Sequence, residues 1–313
     1  MNKIITEFVY PVFFISTVVL GLGCTAMGTI DISPEELKKK YGTDEDEYLE
    51  LGGMEVRYRD EGEGPAVVLL HGVCASLETW DGWTEKMKEN YRVIRIDIPG
   101  FGLTGPAPDK SQYKIENSVE FLDEFVSHLG IDEFYLVGNS LGGYISWNYS
   151  LKYPHKVKKM ILIDSVGYPQ KMPRMLRYAS NPLVRSTSRK MMPRSMLYKS
   201  VKQVYGDKSK VTPKVQERYF DFAMREGNKG SYVDIFVEFR DNEDVDISKG
   251  ISKIKVPVMV MWGTKDEWIP FEAFEKFKKD LPSAQYVAYE GVGHIPMEEI
   301  PEESVRDAMG FLQ

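Results

Sequence analysis

The sequence predicts an α/β protein with a doubly wound, mostly parallel β-sheet and an inserted helical cap. Short apolar runs alternate with helical segments along most of the 313 residues, a pattern typical of a parallel sheet with helices on both faces. The alternation stops between about residues 167 and 230, where prolines, methionines and basic residues occur without any strand-like run. We therefore expect one core with one helical insertion, not two separate domains.

The predicted strands begin with a hairpin around Gly52-Gly53, a dipeptide that suits a two-residue turn because both positions need positive φ. Six further apolar runs follow, bounded by turn residues. The predicted strands are residues 48–51, 54–59, 66–70, 92–96, 134–137, 160–164, 257–262 and 285–289. Ligands bind such a sheet at the carboxyl ends of its strands, so the residues just after these runs are candidates for a functional site.

A serine follows the fifth predicted strand in the run Gly138-Asn139-Ser140-Leu141-Gly142. Gly-x-Ser-x-Gly between a strand and a helix is the pattern of a nucleophile elbow, a sharp and strained turn that exposes the serine hydroxyl. Small neighbours are needed where the helix closes on the strand. A glycine-rich strand-to-helix turn without catalysis would have the same short motif, so the interpretation depends on partners elsewhere in the chain.

Candidate partners occur downstream. Asp266 follows the seventh predicted strand after a glycine turn, and His294 lies after the eighth strand in a glycine-flanked loop. A serine hydroxyl becomes a good nucleophile when an imidazole takes its proton and a buried carboxylate fixes the imidazole tautomer. The chain order Ser140, Asp266, His294 fits such a triad. Asp164, which ends the sixth predicted strand, is a second candidate for the acid.

The other histidines are interpreted as structural or solvated. His71 precedes the elbow, so it does not fit the triad order. His128 lies in a helical segment, residues 117–130, whose apolar residues recur at helical spacing and which Gly130 closes as a left-handed cap. His155 lies in a charged loop.

Taken together, these motifs resemble the α/β-hydrolase family from residue 47 to residue 313, with further matches at His71-Gly72, residues 97–102 and residues 262–266. The resemblance implies that the amides of Val73 and Leu141 form an oxyanion hole. Losing one such donor typically costs roughly 2.7–4 kcal/mol of transition-state stabilisation. Related dehalogenases and epoxide hydrolases carry aspartate at the elbow, so Ser140 excludes their alkyl-enzyme chemistry.

The expected function is that of a serine hydrolase that cleaves a carboxylic ester of a small or lipid-like substrate through an acyl-enzyme. Similar capped hydrolases cleave carbon–carbon bonds, lactones or amides with the same triad, and selectivity lies in the cap. Members of this fold also act as ligand-binding receptors, so a binding protein is the alternative outside enzymes.

The composition argues against several other classes of function. A net charge of −7 argues against general nucleic-acid binding, and 42% hydrophobic residues allow a large core. The sequence has no Cys/His metal cluster and no phosphate-binding glycine loop, so we expect no cofactor and no metal. Its two cysteines, Cys24 and Cys74, give no disulfide framework. No obligate protein partner is evident.

The cap region has two unusual features. Between residues 171 and 216 there are about a dozen lysines and arginines and one acid, Asp207. This charge either favours anionic lipid surfaces or acidic substrates, or is a solvated surface. Five methionines either line an adaptable acyl pocket or form the core of a small lid: Met172, Met175, Met191, Met192 and Met196.

The N-terminus predicts export and membrane association. No charged residue occurs between Phe8 and Ile30, which suits a cleaved signal peptide, a lipoprotein signal or a retained anchor. Cys24 follows a sequence similar to a bacterial lipobox, but Gly21 stands where leucine is usual. Lys38 to Lys40 would favour a cytosolic face for an uncleaved anchor. We expect a signal or anchor at 1–30, a polar spacer at 31–46, core at 31–166 and 231–313, and the cap at 167–230.

Overall fold

The structure, a computed structural model, describes residues 26–313. One eight-stranded sheet has the strand order β1-β2-β4-β3-β5-β6-β7-β8. The strands are β1 Asp46–Leu51, β2 Met54–Glu61, β3 Ala66–Leu70, β4 Arg92–Ile96, β5 Phe134–Asn139, β6 Val157–Ile163, β7 Val258–Gly263 and β8 Gln285–Tyr289. The β1–β2 and β2–β4 pairs are antiparallel and all others are parallel. The predicted mostly parallel sheet is confirmed.

Helices connect most of the strands and flank the sheet. They are α1 Pro34–Tyr41, α2 Asp81–Met87, α3 Ile115–His128, α4 Leu141–Lys152, α5 Arg174–Ser180, α6 Arg185–Ser188, α7 Arg194–Gln203, α8 Pro213–Met224, α9 Asn228–Asp241, α10 Glu272–Asp280, α11 Pro296–Glu299 and α12 Pro301–Leu312. In α3, the buried residues Val119, Leu122, Phe125 and Val126 recur at helical spacing, and Gly130 follows the helix with φ +66°.

The core lies on the central strands. Every residue of β7 is buried, as are four of the five residues of β3. Both faces of these strands are covered, so they are continuously apolar instead of alternating. The hairpin between β1 and β2 turns at Gly52 and Gly53, whose φ values of +60° and +75° suit a turn that few residues other than glycine adopt.

Helices α5 to α9 are inserted between β6 and β7 and form the cap. The sequence-based boundary at residue 230 falls inside α9, which begins after Gly227 and continues to Asp241. The helix continues because Tyr232, Val233 and Phe236 are all buried.

The segment between residues 31 and 46 was predicted to be a polar spacer, and this prediction is wrong. Ser33 and Glu36 form a reciprocal capping box that begins α1, and Pro34 occupies the first helical position. Leu37 is buried against Leu103 and Phe222, the latter a cap residue. A capping box and one well-placed leucine therefore convert a largely charged segment into a docked helix.

The chain before α1 is attached to the cap. The amide of Met192 donates to the carbonyl of Gly28, and Ile32 exchanges two backbone hydrogen bonds with Met224 and Glu226. Cys24 and most of the uncharged N-terminal stretch lie outside the described residues. Within residues 26–313, no helix combines the length and apolar character needed to cross a bilayer.

Candidate active site

Ser140 occupies the turn between β5 and α4 with φ +55° and ψ −113°. This conformation is strained for a residue with a Cβ. The turn is possible because the backbones meet closely: a Cβ on Gly138 would overlap the carbonyl of Gly142, and a Cβ on Gly142 would overlap the carbonyl of Leu70. The serine side chain therefore lies at the carboxyl end of β5, where it lines a cavity of about 340 Å³.

Two backbone amides border the same cavity. Leu141 is the first residue of α4, and Val73 belongs to the loop after β3. Among the described residues, neither amide donates a hydrogen bond to another protein group. The Val73 loop lies directly against the elbow, since a Cβ on Gly72 would be 3.0 Å from the Cβ of Ser140. Two free N–H groups, one of them at a helix N-terminus, can stabilise negative charge there.

Asp266 and His294 form a buried pair. Nδ1 of His294 donates to Oδ2 of Asp266 across 2.7 Å. The other carboxylate oxygen, Oδ1, accepts the amides of Trp268 at 2.7 Å and Ile269 at 3.0 Å. Because three donors fix this carboxylate, it holds the imidazole proton on Nδ1 and leaves Nε2 without a proton, the form in which it can act as a base.

Nε2 of His294 is buried and has no hydrogen-bond partner among the described residues. His294 is tied to the elbow through Asn139, whose Nδ2 donates to the carbonyls of His294 at 2.9 Å and Ile163 at 3.1 Å. Ser140, Asp266 and His294 thus follow β5, β7 and β8 at one edge of the sheet. This edge holds a hydroxyl, a base and two free amides, the groups that acyl transfer needs.

Asp164, the second candidate acid, lies behind this pair. It follows β6 with φ +44°, is fully buried, and accepts the amide of Gly263 at 3.0 Å. Asp164, Asp266 and His294 each offer one oxygen or nitrogen within 4.8 Å of the other two, but only Asp266 bonds the imidazole. Burial and the charge of Asp266 raise the pKa of Asp164 well above its usual value, so this carboxyl is less easily ionised than an exposed aspartate.

Within residues 26–313, the same three side chains form a group whose oxygen and nitrogen atoms lie close enough together to hold a metal ion. The direct hydrogen bond between Asp266 and His294 already uses one potential ligand atom of each.

The loop that carries His294 is held by groups that sequence reasoning missed. The carboxylate of Glu299 accepts the amides of Gly206, Asp207 and Gly293 at 2.8–2.9 Å. The amide of His294 donates to the carbonyl of Val204, a cap residue, at 2.8 Å. The cap backbone is thus joined directly to the loop of the candidate base.

Trp268, also missed, stacks on the imidazole of His294, with ring centroids 5.8 Å apart and an interplanar angle of 30°. The same residue therefore bonds Asp266 through its backbone and fixes the plane of the imidazole through its ring.

The remaining histidines lie where the sequence placed them. His71 is completely buried; its Nδ1 donates to the carbonyl of Gly72 at 2.7 Å and its Nε2 accepts the amide of Ile98 at 3.0 Å. Burial lowers its pKa to about 4, so it is neutral. Its two hydrogen bonds hold the Val73 loop against Ile98, at the start of the loop after β4. His128 ends α3 and is exposed, as is His155.

Two cavities meet at the candidate site. The larger, of about 340 Å³, is bordered by Ser140 and Leu141; a smaller one, of about 30 Å³, is bordered by His294. Of the five cap methionines, Met172 lines the larger cavity and Met175 the smaller. Met192 is buried in the core instead.

The chain is similar to known hydrolases over most of its length. A family model described as alpha/beta hydrolase fold matches residues 65–301. Lipase 1 of Psychrobacter immobilis is 30% identical over 83% of this chain and 81% of its own length. A 2-hydroxy-6-oxo-6-(2'-aminophenyl)hexa-2,4-dienoic acid hydrolase of Metapseudomonas resinovorans is 27% identical over 85% of this chain and 90% of its own. A solved serine hydrolase involved in carbazole degradation superposes with a TM-score of 0.73 at 25% identity, covering 85% and 98% of the two chains.

Proposed function

The chain belongs to the alpha/beta hydrolase fold family and is a hydrolase, and from this premise we propose that it cleaves carboxylic esters through an acyl-enzyme formed on Ser140. The observation that carries the proposal is the Asp266–His294 pair beside a strained serine and two free amides. A lipase at 30% identity supports an ester substrate.

In the proposed mechanism, Nε2 of His294 takes the hydroxyl proton while Oγ of Ser140 attacks the ester carbonyl. The amides of Val73 and Leu141 bind the resulting oxyanion. His294 then gives its proton to the leaving alcohol, and the ester carbon–oxygen bond breaks to leave an acyl-enzyme. Water repeats these steps, releases the carboxylic acid and restores the serine. Asp266 stabilises the imidazolium in both halves of the cycle.

Replacement of the serine tests this mechanism. Ser140→Ala should abolish turnover of a short p-nitrophenyl ester and labelling by a fluorophosphonate, with an unchanged circular dichroism spectrum. Ser127→Ala, on the exposed surface of α3, is the matched control and should keep both properties. A Ser140→Ala protein with activity within about tenfold of the unmodified chain would refute the assignment. Absent labelling of the unmodified chain would favour a ligand-binding protein.

Carbon–carbon cleavage is the second candidate, favoured by the similarity to the dienoic acid hydrolase. A dienoic acid is an anion at neutral pH. No lysine, arginine or histidine is among the described residues that line the larger cavity, and three glutamates are. We therefore place ester hydrolysis ahead of dienoate cleavage. Comparing kcat/KM for a short ester and for a dienoate ketone on the same preparation decides between them.

We also infer that the protein works at an anionic membrane surface, with the edge of the cap formed by residues 171–190 facing the lipid. This edge contains no acidic residue. Its Lys171, Arg174, Arg185 and Lys190 are exposed and form no ion pair with another described residue. Leu183 projects from it with 91% of its surface exposed.

Two further features support this orientation. The first described residues are attached to the cap next to this edge, because the amide of Met192 donates to the carbonyl of Gly28. Helix α5 connects the edge to the site, since Arg174 is exposed while Leu176 lines the larger cavity. Basic side chains with an exposed apolar residue are the combination that binds anionic interfaces.

Vesicle co-sedimentation tests the orientation. The full-length chain should bind phosphatidylcholine vesicles containing phosphatidylglycerol more strongly than phosphatidylcholine vesicles alone. Arg174→Ser with Arg185→Ser should remove most of this preference. Lys249→Ser with Lys279→Ser, two exposed lysines outside the cap edge, is the charge-matched control. Equal losses in both double variants would contradict a specific role for residues 171–190.

A further inference from the structure

The charged side chains that line the larger cavity are all acidic. Three glutamates line it, and no lysine, arginine or histidine is among the described residues that line it. Glu243 is neutralised by Arg177, whose Nη2 lies 2.9 Å from Oε1, and it also accepts the amide of Met172. Glu116 and Glu238 form no ion pair with any described residue. The exposed Glu116 and the half-buried Glu238 therefore border this space without an ion-pair partner among residues 26–313.

The two unpaired carboxylates act on the same part of the cavity wall. Glu116 belongs to α3 of the core and Glu238 to α9 of the cap. Tyr144 also lines the cavity and is close enough to be affected by both carboxylates. Burial and then their negative charges raise the pKa of its hydroxyl to about 12. Core and cap thus each contribute one carboxylate to a common negative region.

Much of the remaining wall is apolar or aromatic: Tyr113, Ile115, Val166, Tyr168, Phe239 and Trp268. Such a wall accommodates alkyl chains, and the faces of aromatic rings attract cations. A carboxylate placed there would lose hydration and meet two like charges. Like charges repel, and the repulsion is stronger where solvent access is reduced, as it is at the half-buried Glu238.

The two cavities also differ in the catalytic groups that border them. Ser140 and Leu141, which would hold the acyl group and its oxyanion, line the larger cavity. His294, which would protonate the leaving alcohol, lines the smaller one together with apolar residues such as Leu197 and Val201. The acyl group therefore belongs in the larger cavity and a small alcohol beside the imidazole.

We propose that the larger cavity selects acyl groups by the charge at their far end: a cationic or uncharged end is accepted and a carboxylate is rejected. Glu116 and Glu238 are the residues that impose this selection. The inference rests on the proposed ester hydrolysis at Ser140 and specifies its substrate class.

Four methyl esters in two shape-matched pairs test the proposal. Methyl 5-aminopentanoate, a cation, matches methyl hexanoate, and monomethyl glutarate, an anion, matches methyl 5-methylhexanoate. Initial rates are measured with the full-length chain by pH-stat at low ionic strength. We expect kcat/KM for monomethyl glutarate to be at least about tenfold below that of its neutral match. The cationic ester should equal or exceed methyl hexanoate.

Variants assign the selection to the two glutamates. Glu116→Gln with Glu238→Gln keeps the shape of both side chains and removes both charges, so it should bring the anion-to-neutral ratio of kcat/KM to within about threefold of one. Glu272→Gln, an exposed residue of α10 outside the cavity, is the control and should leave the ratio unchanged. Using ratios removes any general effect of the substitutions on turnover.

The outcomes separate this proposal from the proposed function. If no ester in the set is hydrolysed, ester hydrolysis is wrong, and phosphonates with the same four tails then report charge selection through their rates of Ser140 labelling. If the neutral esters are hydrolysed and the glutarate ester is hydrolysed equally well, charge selection is wrong. It is also wrong if discrimination persists undiminished in the Glu116→Gln, Glu238→Gln variant.

Discussion

His71, at the start of the Val73 loop, should make the stability of the protein depend on pH. Its ring is completely buried, with Nδ1 donating to Gly72 and Nε2 accepting from Ile98. Burial disfavours the charged imidazolium and lowers the pKa of this ring from 6.5 to about 4. Protonation would also place a second donor against the Ile98 amide. The unfolded chain therefore binds a proton that the folded chain does not accept.

The size of the effect follows from the difference between the pKa of this ring in the unfolded and folded states. Above pH 6.5 both states are neutral at this ring and its contribution to stability is complete. As the pH falls from 6.5 to 4, only the unfolded state gains the proton, and the free energy of unfolding drops by about 3 kcal/mol. Other groups also titrate in this range, so the useful quantity is the difference between the unmodified chain and a variant without the ring.

His71→Gln keeps an acceptor for the Ile98 amide and cannot be protonated. Urea unfolding at intervals from pH 7 to pH 4 should show the unmodified chain losing about 3 kcal/mol more than this variant. His71→Asn provides a second comparison if the glutamine is poorly accommodated. Parallel pH profiles, within about 1 kcal/mol over the whole range, would refute the idea that this histidine is held neutral by burial.

Three other predictions follow from the contacts of the site. Asp266→Asn should lower kcat by about 10⁴. The asparagine oxygen would stay with the two loop amides, so its NH₂ would face Nδ1 of His294 and move the ring proton to Nε2. Asp164→Asn removes no hydrogen bond to the imidazole and should lower kcat less than tenfold. Glu299→Gln should lower kcat by about tenfold and the free energy of unfolding by about 2–4 kcal/mol, because one oxygen cannot accept all three amides. A loss confined to KM would contradict the role of Glu299 in positioning His294.

Much of the fold could be predicted because its strands are buried on both faces. Runs such as residues 66–70 and 257–262 are continuously apolar and end in turn residues, so their type and approximate bounds follow from the sequence alone. The elbow was also predictable, since the overlap that any Cβ at Gly138 or Gly142 would cause leaves a recognisable pattern of glycines. The order serine, acid, histidine along the chain then identified Asp266 and His294 as the candidate partners of Ser140.

The contacts that hold the site could not be predicted in the same way. Glu299 is one of two adjacent glutamates in a short helix, and no local pattern distinguishes it from Glu298, which instead pairs with Arg218 of the cap. Its role depends on where residues 204–207 pass over the His294 loop, which is a tertiary arrangement. By contrast, α1 had a readable signal, the capping box of Ser33 and Glu36, which the high charge of the segment obscured.

The two proposed electrostatic features have opposite signs and should respond oppositely to salt. The cap edge of residues 171–190 presents unpaired cations outward, whereas Glu116 and Glu238 present unpaired anions into the cavity. Screening weakens attraction and repulsion alike. Raising the ionic strength from about 10 mM to about 500 mM should therefore reduce binding to anionic vesicles and, in the same preparation, raise kcat/KM for monomethyl glutarate relative to its neutral match. If vesicle binding and the relative kcat/KM for monomethyl glutarate both fell with salt, the cavity would not repel anions, because attraction would then govern both measurements.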